Sequence, residues 1–286
     1  MPQILPHTVS IIIPCFNAGH YLVESVESAM CQTWEQKEII IVDDHSTDEQ
    51  TKKELHSLSH QPGVRVLSVP HGRKGPSAAR NVGIEAARGE FIFPLDADDK
   101  IDPTYISKAV VVLTSKADVV ICGAKVKFFG LRNHVWDQPE CTYKNLMLEE
   151  YKLVCSCLYR RKDWERVGGY DESLVFREDM VFWIDLLEKG GEVVVLPEVL
   201  FFYRIRPRSL TSSIKGSPSE SEKIAALYKA RPDVFERYTP EFMNALAQHR
   251  EEKAHRECLI SWKLLSPVLK LEWTLRQKVK RLFGRA

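Results

Sequence analysis

Residues 91–99 read Phe-Ile-Phe-Pro-Leu-Asp-Ala-Asp-Asp, an apolar run that ends in three carboxylates, Asp96, Asp98 and Asp99. A short, nearly continuous apolar run marks a strand buried on both faces of a parallel sheet, and ligands of open α/β sheets bind beyond the carboxyl ends of such strands. The acidic group therefore stands where a ligand is expected. Carboxylates held this close repel one another and raise one another's pKa unless a cation lies among them. Hard divalent ions favour such all-oxygen sites, so Mn2+ or Mg2+ is the expected partner. The competing reading is an acidic turn opening a helix, because Asp102 and Pro103 carry a helix-start pattern.

Working outward from this run, strand and helix patterns alternate. Strands are expected at 9–14, 38–42, 64–69 and 91–95, and helices at 18–32, 48–59, 77–88 and 103–115. Tandem βα units predict a mostly parallel sheet with helices on both faces, and right-handed crossovers bring the strand carboxyl ends to one edge. Three polar clusters converge there: Pro14 to Asn17, Asp43 to Asp48, and the tetrad 96–99. From about Asp118 the alternation loosens into a β-rich stretch to Gly130, helices at 162–167 and 179–189, and strands at 193–196 and 200–205. Gly, Ser and Pro cluster at 215–219, and the remainder reads as helical. The expected division is a catalytic domain at 1–214 and a helical extension at 215–286.

In 286 residues, a hydrophobic content of 44% and a charged content of 28% suit a soluble globular enzyme and exclude a disordered or fibrous chain. The seven cysteines are odd in number and several lie in apolar runs, so they read as reduced thiols of a cytoplasmic protein. Cys155 and Cys157 flank one residue, a spacing that puts both on one face of a strand as buried thiols. No leader pattern opens the chain and no apolar run reaches membrane-spanning length, about 18 residues.

The strings VSIIIPCFNAGHYLVESVESAMCQTW, EIIIVDDHSTDEQT, GPSAARNVGIEAARGEFIFPLDADD, VGGYDESL, FREDMVFW and FYRIRPRSLTSS follow one another over residues 9–213. In that order they resemble glycosyltransferase family 2, in its inverting, non-processive type, with the GT-A fold. The resemblance implies a mostly parallel central sheet with flanking helices. It also implies transfer of a sugar, hexosyl or N-acetylhexosaminyl, from a nucleotide-diphosphate donor, UDP favoured, to a hydroxyl of a glycan or lipid-linked acceptor. Residues 214–286 carry no such likeness.

Carried over residue by residue, the resemblance gives the nucleoside to Pro14, Phe16, Asp43 and Asp44. Phe16 suits the face of a base, and a carboxylate at Asp44 suits the imide proton of uracil. Core packing of Phe16 and loop capping by Asp43 are the alternatives. His45 stands where the family more often has Gly or Asn. Arg80 and Asn81, with Arg73 and Lys74 nearby, imply a grip on the diphosphate. In the tetrad, Asp96 is given to ribose or sugar with Ala97 on the donor side, Asp98 to the metal, and Asp99 to a supporting or sugar contact. The pair Glu178 and Asp179 is given the general-base role, with Asp179 at the catalytic position. A helix N-terminus stabilised by negative charge is the alternative there. Gly169, Tyr170 and Asp171 resemble the acceptor-side loop, although Gly168 and Gly169 also suit the end of a helix. Arg206 resembles part of a loop over the diphosphate in which His is common; arginine clamps phosphate but ligates no metal. Neither Gln-x-x-Arg-Trp nor membrane helices of processive synthases occur, so single-residue transfer is expected.

From Leu259 to Ala286 there are seven Lys or Arg and one acidic residue, a net +6, so the total of +1 leaves −5 for residues 1–258. Leu264, Val268, Leu271, Leu275, Val279 and Leu282 share an apolar arc. Such a basic amphipathic tail suits an anionic membrane, placing the protein on the inner face of the cell membrane. Packing on the catalytic domain or on a second copy, as a homodimer, is the alternative. No nucleic-acid partner is expected. Two other functions compete: an Asp-x-Asp phosphatase, which would put its motif on the first strand, and a non-catalytic nucleotide-sugar-binding scaffold.

Overall fold

The strands of the computed structural model take their order from the apolar runs. It describes residues 2–138, 141–147, 153–174, 176–206 and 229–232, all within a unit that ends at Pro232. The expected boundary at 214/215 and the amphipathic tail lie outside the described residues. The chain runs β1 (Leu5–Cys15), α1 (Tyr21–Met30), β2 (Lys37–Asp43), α2 (Glu49–Leu58), β3 (Val64–Ser68), α3 (Pro76–Ala86), β4 (Gly89–Pro94), β5 (Lys100–Ile101) and α4 (Tyr105–Ser115). It continues with β6 (Val119–Gly130), β7 (His134–Val135), α5 (Tyr143–Met147), β8 (Leu158–Arg160), α6 (Arg161–Val167), α7 (Glu178–Leu187) and β9 (Glu192–Ile205).

One nine-stranded sheet carries these strands in the order β3-β2-β1-β4-β8-β6-β9-β5, with β7 beside β6. The expectation of a mostly parallel sheet holds across β3, β2, β1 and β4. Beyond β4 the sheet is mixed, because β8 lies antiparallel to both β4 and β6. The expected strands at 193–196 and 200–205 are one strand, β9. Its register against β6 shifts where Leu196 pairs with Ala124 and Val199 with Lys125. Pro197 cannot donate to a ladder and falls within that irregularity.

Alternation along β1 feeds two cores. Val9, Ile11 and Ile13 join Leu22, Val26 and Ala29 of α1, Leu55 and Leu58 of α2, and Tyr105, Ile106 and Ala109 of α4. The α1 positions recur every three or four residues, which is why that stretch is helical. Each fully buried Leu or Val contributes about 1.5–3 kcal/mol. On the opposite face α3 lies so close that a Cβ at Gly83 would stand 2.5 Å from Ile12 Cγ2 and 3.0 Å from Val42 Cγ2. Glycine there lets helix and sheet meet.

The parallel registers pair Cys15 with Asp43, Asp43 with Ser68, and Ile12 with Pro94. The carboxyl ends of β1, β2, β3 and β4 therefore share one edge, and the three polar clusters lie there. Cys155 and Cys157 are buried free thiols, but they precede β8 in irregular chain, not on a strand face. Two residues of separation matched a strand period that the backbone does not adopt.

Candidate active site

The loops after β1 and β2 hold each other. Asn17 adopts φ 48°, and its Oδ1 accepts from the Thr47 and Asp48 backbone N–H groups at 2.7 and 3.1 Å, while Ser46 Oγ accepts from Asn17 N at 3.0 Å. Asp43 Oδ1 accepts from Ser46 N at 3.1 Å, so Asp43 caps this loop. Asp44 Oδ2 accepts from Gly75 N at 2.8 Å, tying the second cluster to the residue that opens α3. Its other oxygen, Oδ1, is buried without a hydrogen-bond partner. Phe16 is 49% exposed, so it is not a core side chain. Pro14 is partly buried at the end of β1. His45, at φ 60°, stacks on His71 with ring centroids 6.0 Å apart.

Arg73 does not supply free positive charge to this edge. Its guanidinium bonds Glu172 and reaches Glu85 at 3.2 Å, so the two carboxylates offset it.

In the tetrad each carboxylate has a different environment. Asp96 Oδ1 accepts from Arg80 Nη2 at 2.9 Å, Oδ2 from the Cys155 thiol at 3.4 Å, and its carbonyl from Ser25 Oγ at 3.1 Å. Ala97 is buried in the core at this turn. Asp98 pairs with Arg206, Nε to Oδ2 at 2.7 Å; burial and the neighbouring Asp96 nevertheless push its carboxyl above the usual range. Asp99 is 2% exposed and accepts from Arg204 N at 2.7 Å. It ties β9 to the tetrad. Arg204 also bonds the Asp98 carbonyl at 2.6 Å and Glu24 at 3.0 Å, with its guanidinium over the Tyr21 and Phe129 rings.

The second acidic pair opens α7, where Arg177 at φ 63° turns the chain into the helix. Arg80, on α3 and 3% exposed, spans the two acidic centres: Nη1 donates to Glu178 at 2.8 Å and Nη2 to Asp96 at 2.9 Å. Both terminal nitrogens expected at the diphosphate are thus engaged by carboxylates. Asp179 is half-buried, and desolvation, then the Glu178 charge, raise its pKa to about 7 against the lowering effect of Arg80. Asn81 supports this corner, accepting from Tyr170 N at 2.9 Å and donating to Tyr170 O at 2.8 Å. The Tyr170 ring is buried, stacked on Phe182 at 4.1 Å and 5.5 Å from the Arg80 guanidinium. Its ring therefore supports Arg80. Asp171 closes a turn, accepting from Ser173 N at 2.8 Å. Gly168 ends α6 in the left-handed region at φ 84°, and Gly169 follows at φ 86° with Asn81 Oδ1 2.9 Å from where a Cβ would stand. Ending the helix and presenting this loop are one geometry.

Among the described residues no group of three His, Cys, Asp or Glu side chains is arranged to hold a metal ion. Magnesium-like ions are commonly held by one or two carboxylates with substrate phosphates and water. Asp98, one-fifth exposed and raised by its acidic neighbour, fits that arrangement as the single protein carboxylate. Residues missed from sequence are Tyr21, Glu24 and Cys155. Tyr21 and Glu24 are three apart in the first turn of the helix that leaves the site edge, a spacing that places both on one face. Nothing in the sequence pointed from Cys155 to Asp96.

No described helix is long and apolar enough to cross a membrane. The family model for glycosyl transferase family 2 matches residues 10–167, more than half of the chain. The uncharacterized glycosyltransferase EpsJ of Bacillus subtilis is 32% identical over 249 residues, 80% of this chain and 70% of that protein. The UDP-Glc:alpha-D-GlcNAc-diphosphoundecaprenol beta-1,3-glucosyltransferase WfaP of Escherichia coli is 30% identical over 210 residues, 72% of this chain and 80% of WfaP. Among solved structures, S. aureus TarS 1–349 in complex with UDP-GlcNAc has a TM-score of 0.63 at 21% identity, covering 84% of this chain and 80% of TarS 1–349. The motif lies on the fourth strand, which removes the phosphatase alternative, and with these likenesses the chain belongs to glycosyltransferase family 2, an enzyme with the GT-A fold.

Proposed function

We propose that this glycosyltransferase moves a single sugar, with inversion, from a UDP-sugar to a hydroxyl of a glycan or lipid-linked acceptor. The observation that carries the reading is the buried Asp44 Oδ1 without a hydrogen-bond partner, on the edge where the strand ends converge, with half-exposed Phe16 following Cys15, whose carbonyl accepts from Asp44 N at 2.8 Å. A uracil stacked on Phe16 donates its imide N–H to that oxygen; the ring nitrogen facing it in a cytosine has no proton to give. The names of WfaP and TarS, one a UDP-glucose transferase and the other bound to UDP-GlcNAc, favour the same nucleotide.

Asp96 and the Ala97 turn lie against the ribose and sugar, and Arg206 exchanges Asp98 for the diphosphate. Asp98 would hold a divalent ion, which would supply charge neutralisation for the leaving nucleotide. Asp179 accepts the proton of the acceptor hydroxyl as it attacks the anomeric carbon, with Glu178 alongside and residues 169–171 bordering the acceptor. A base with a pKa near 7 is ionised enough to act at neutral pH while still binding a proton. The basic stretch 259–286 holds the enzyme to an anionic membrane surface, where a lipid-linked acceptor resides. Proton NMR of the first product decides the stereochemistry: an α-linked donor should give a β-linked product, and a retained anomer would refute in-line displacement.

A further inference from the structure

Arg80 has an arrangement that the transfer chemistry above does not use. It is a cation of 3% exposure, with one terminal nitrogen on Asp96 and the other on Glu178, carboxylates 82 residues apart in sequence. Its position is fixed from below by the Tyr170 ring, which Phe182 stacks and Asn81 holds through both backbone groups. Such an Arg is expensive to bury unless its donors are met; both terminal nitrogens are met here while Nε has no partner, and the two carboxylates lie two residues from the metal-side Asp98 and one residue from the general base.

We propose that Arg80 is a positioning residue that couples the donor side to the base: by bridging Asp96 and Glu178 it sets the place and ionisation of Asp179, and it does not bind diphosphate. The proposal deepens the transferase reading and rests on it. The charged and titratable groups facing Asp179 are Glu178 on its own helix, Arg80 from α3, Asp96 from the turn after β4, and Cys155 and Cys157 from the segment before β8. All of these except Arg80 favour a protonated Asp179 or are neutral thiols held protonated by burial. Arg80 is the cation among them that keeps the base ionised near neutral pH. When a donor engages Asp96, the guanidinium transmits any movement of that carboxylate to Glu178, so donor occupancy and base geometry are linked.

The test uses the full chain with Arg80→Gln and Arg80→Lys. Glutamine hydrogen-bonds one carboxylate without charge; lysine keeps the charge without the two-pronged geometry. Titration of UDP by calorimetry and the pH profile of kcat are measured for each. Arg80→Gln should bind UDP within about twofold of the parent while kcat falls about tenfold or more, as for loss of a hydrogen bond to a charged group. Its acidic limb should move up by on the order of one pH unit, because an opposite charge has been removed. Arg80→Lys should keep the limb where it is and lose part of kcat. An unmoved limb in Arg80→Gln, or a donor KM raised tenfold at unchanged kcat, would overturn the proposal in favour of a diphosphate ligand. If the glutamine variant does not fold, Arg80→Lys decides by the same split between KM and kcat. Failure of the underlying reading is distinguishable, since the unmodified chain would then neither bind UDP nor turn over a donor.

Discussion

Replacing Asp44 by Asn leaves the side chain the same size but changes what it offers. In the native protein Oδ2 accepts from Gly75 N at 2.8 Å and the buried Oδ1 has no protein partner. Asparagine keeps one oxygen for Gly75 and puts its NH2 where Oδ1 stood, so two donors face each other when uracil binds. The loss is at least that of a hydrogen bond to a charged group, about 1.5–3 kcal/mol. At about 1.4 kcal/mol per factor of ten, UDP affinity should fall about 10- to 140-fold. Isothermal titration of the full chain with UDP reads this directly, and a thermal scan without ligand checks that the fold survives. Affinity within threefold of the parent, with the fold intact, would refute the placement of the base on Asp44.

Asp179→Asn should lower transfer by at least about a hundredfold, the usual worth of a general base. Because the folded pKa of Asp179 is raised to about 7, the native state holds a proton that the unfolded chain releases between about pH 4 and 7. That contribution to stability is lost as pH rises through 7, so the variant should melt at a higher temperature than the parent at pH 8; an equal or lower melting temperature would contradict it. The parent's kcat should fall as pH drops below about 7. Asp98→Asn should abolish tight Mn2+ binding in the presence of UDP, read by electron paramagnetic resonance, while UDP alone still binds. Gly83→Ala should cost about 1–3 kcal/mol, since its Cβ would stand 2.5 Å from Ile12 Cγ2 and overpack the α3–β1 contact. Urea denaturation would show it as a lower midpoint, and an unchanged midpoint would mean that α3 can shift at no cost.

The first half of the fold was readable because its elements are short and locally consistent: apolar runs such as 9–14 and 91–95 alternate with helices that carry a clear buried stripe. Beyond Asp118 that consistency fails. The antiparallel insertion of β8 between β4 and β6 depends on pairing across about 70 and about 40 residues respectively, which no local pattern encodes. The Cys155–Cys157 spacing fitted a strand, but the segment turns before β8 so that one thiol reaches Asp96. Acidic residues were locatable as a group from their place after strands, whereas their partners were not. Charge and helix position read Arg80 as a phosphate ligand, and nothing local shows that Glu178 comes from 98 residues away to meet it. Asp99 and Tyr170 likewise kept their expected neighbourhood while turning inward.

The most direct test of the account is release of nucleoside diphosphate by the full chain from UDP-, GDP- and dTDP-sugars, with and without Mn2+. Release from a UDP-sugar, stimulated by Mn2+ and lost in Asp98→Asn, is the predicted result. Preference for a GDP-sugar, or release indifferent to both the metal and Asp98, would contradict the assignment of the converging strand ends to a metal-bound uridine diphosphate.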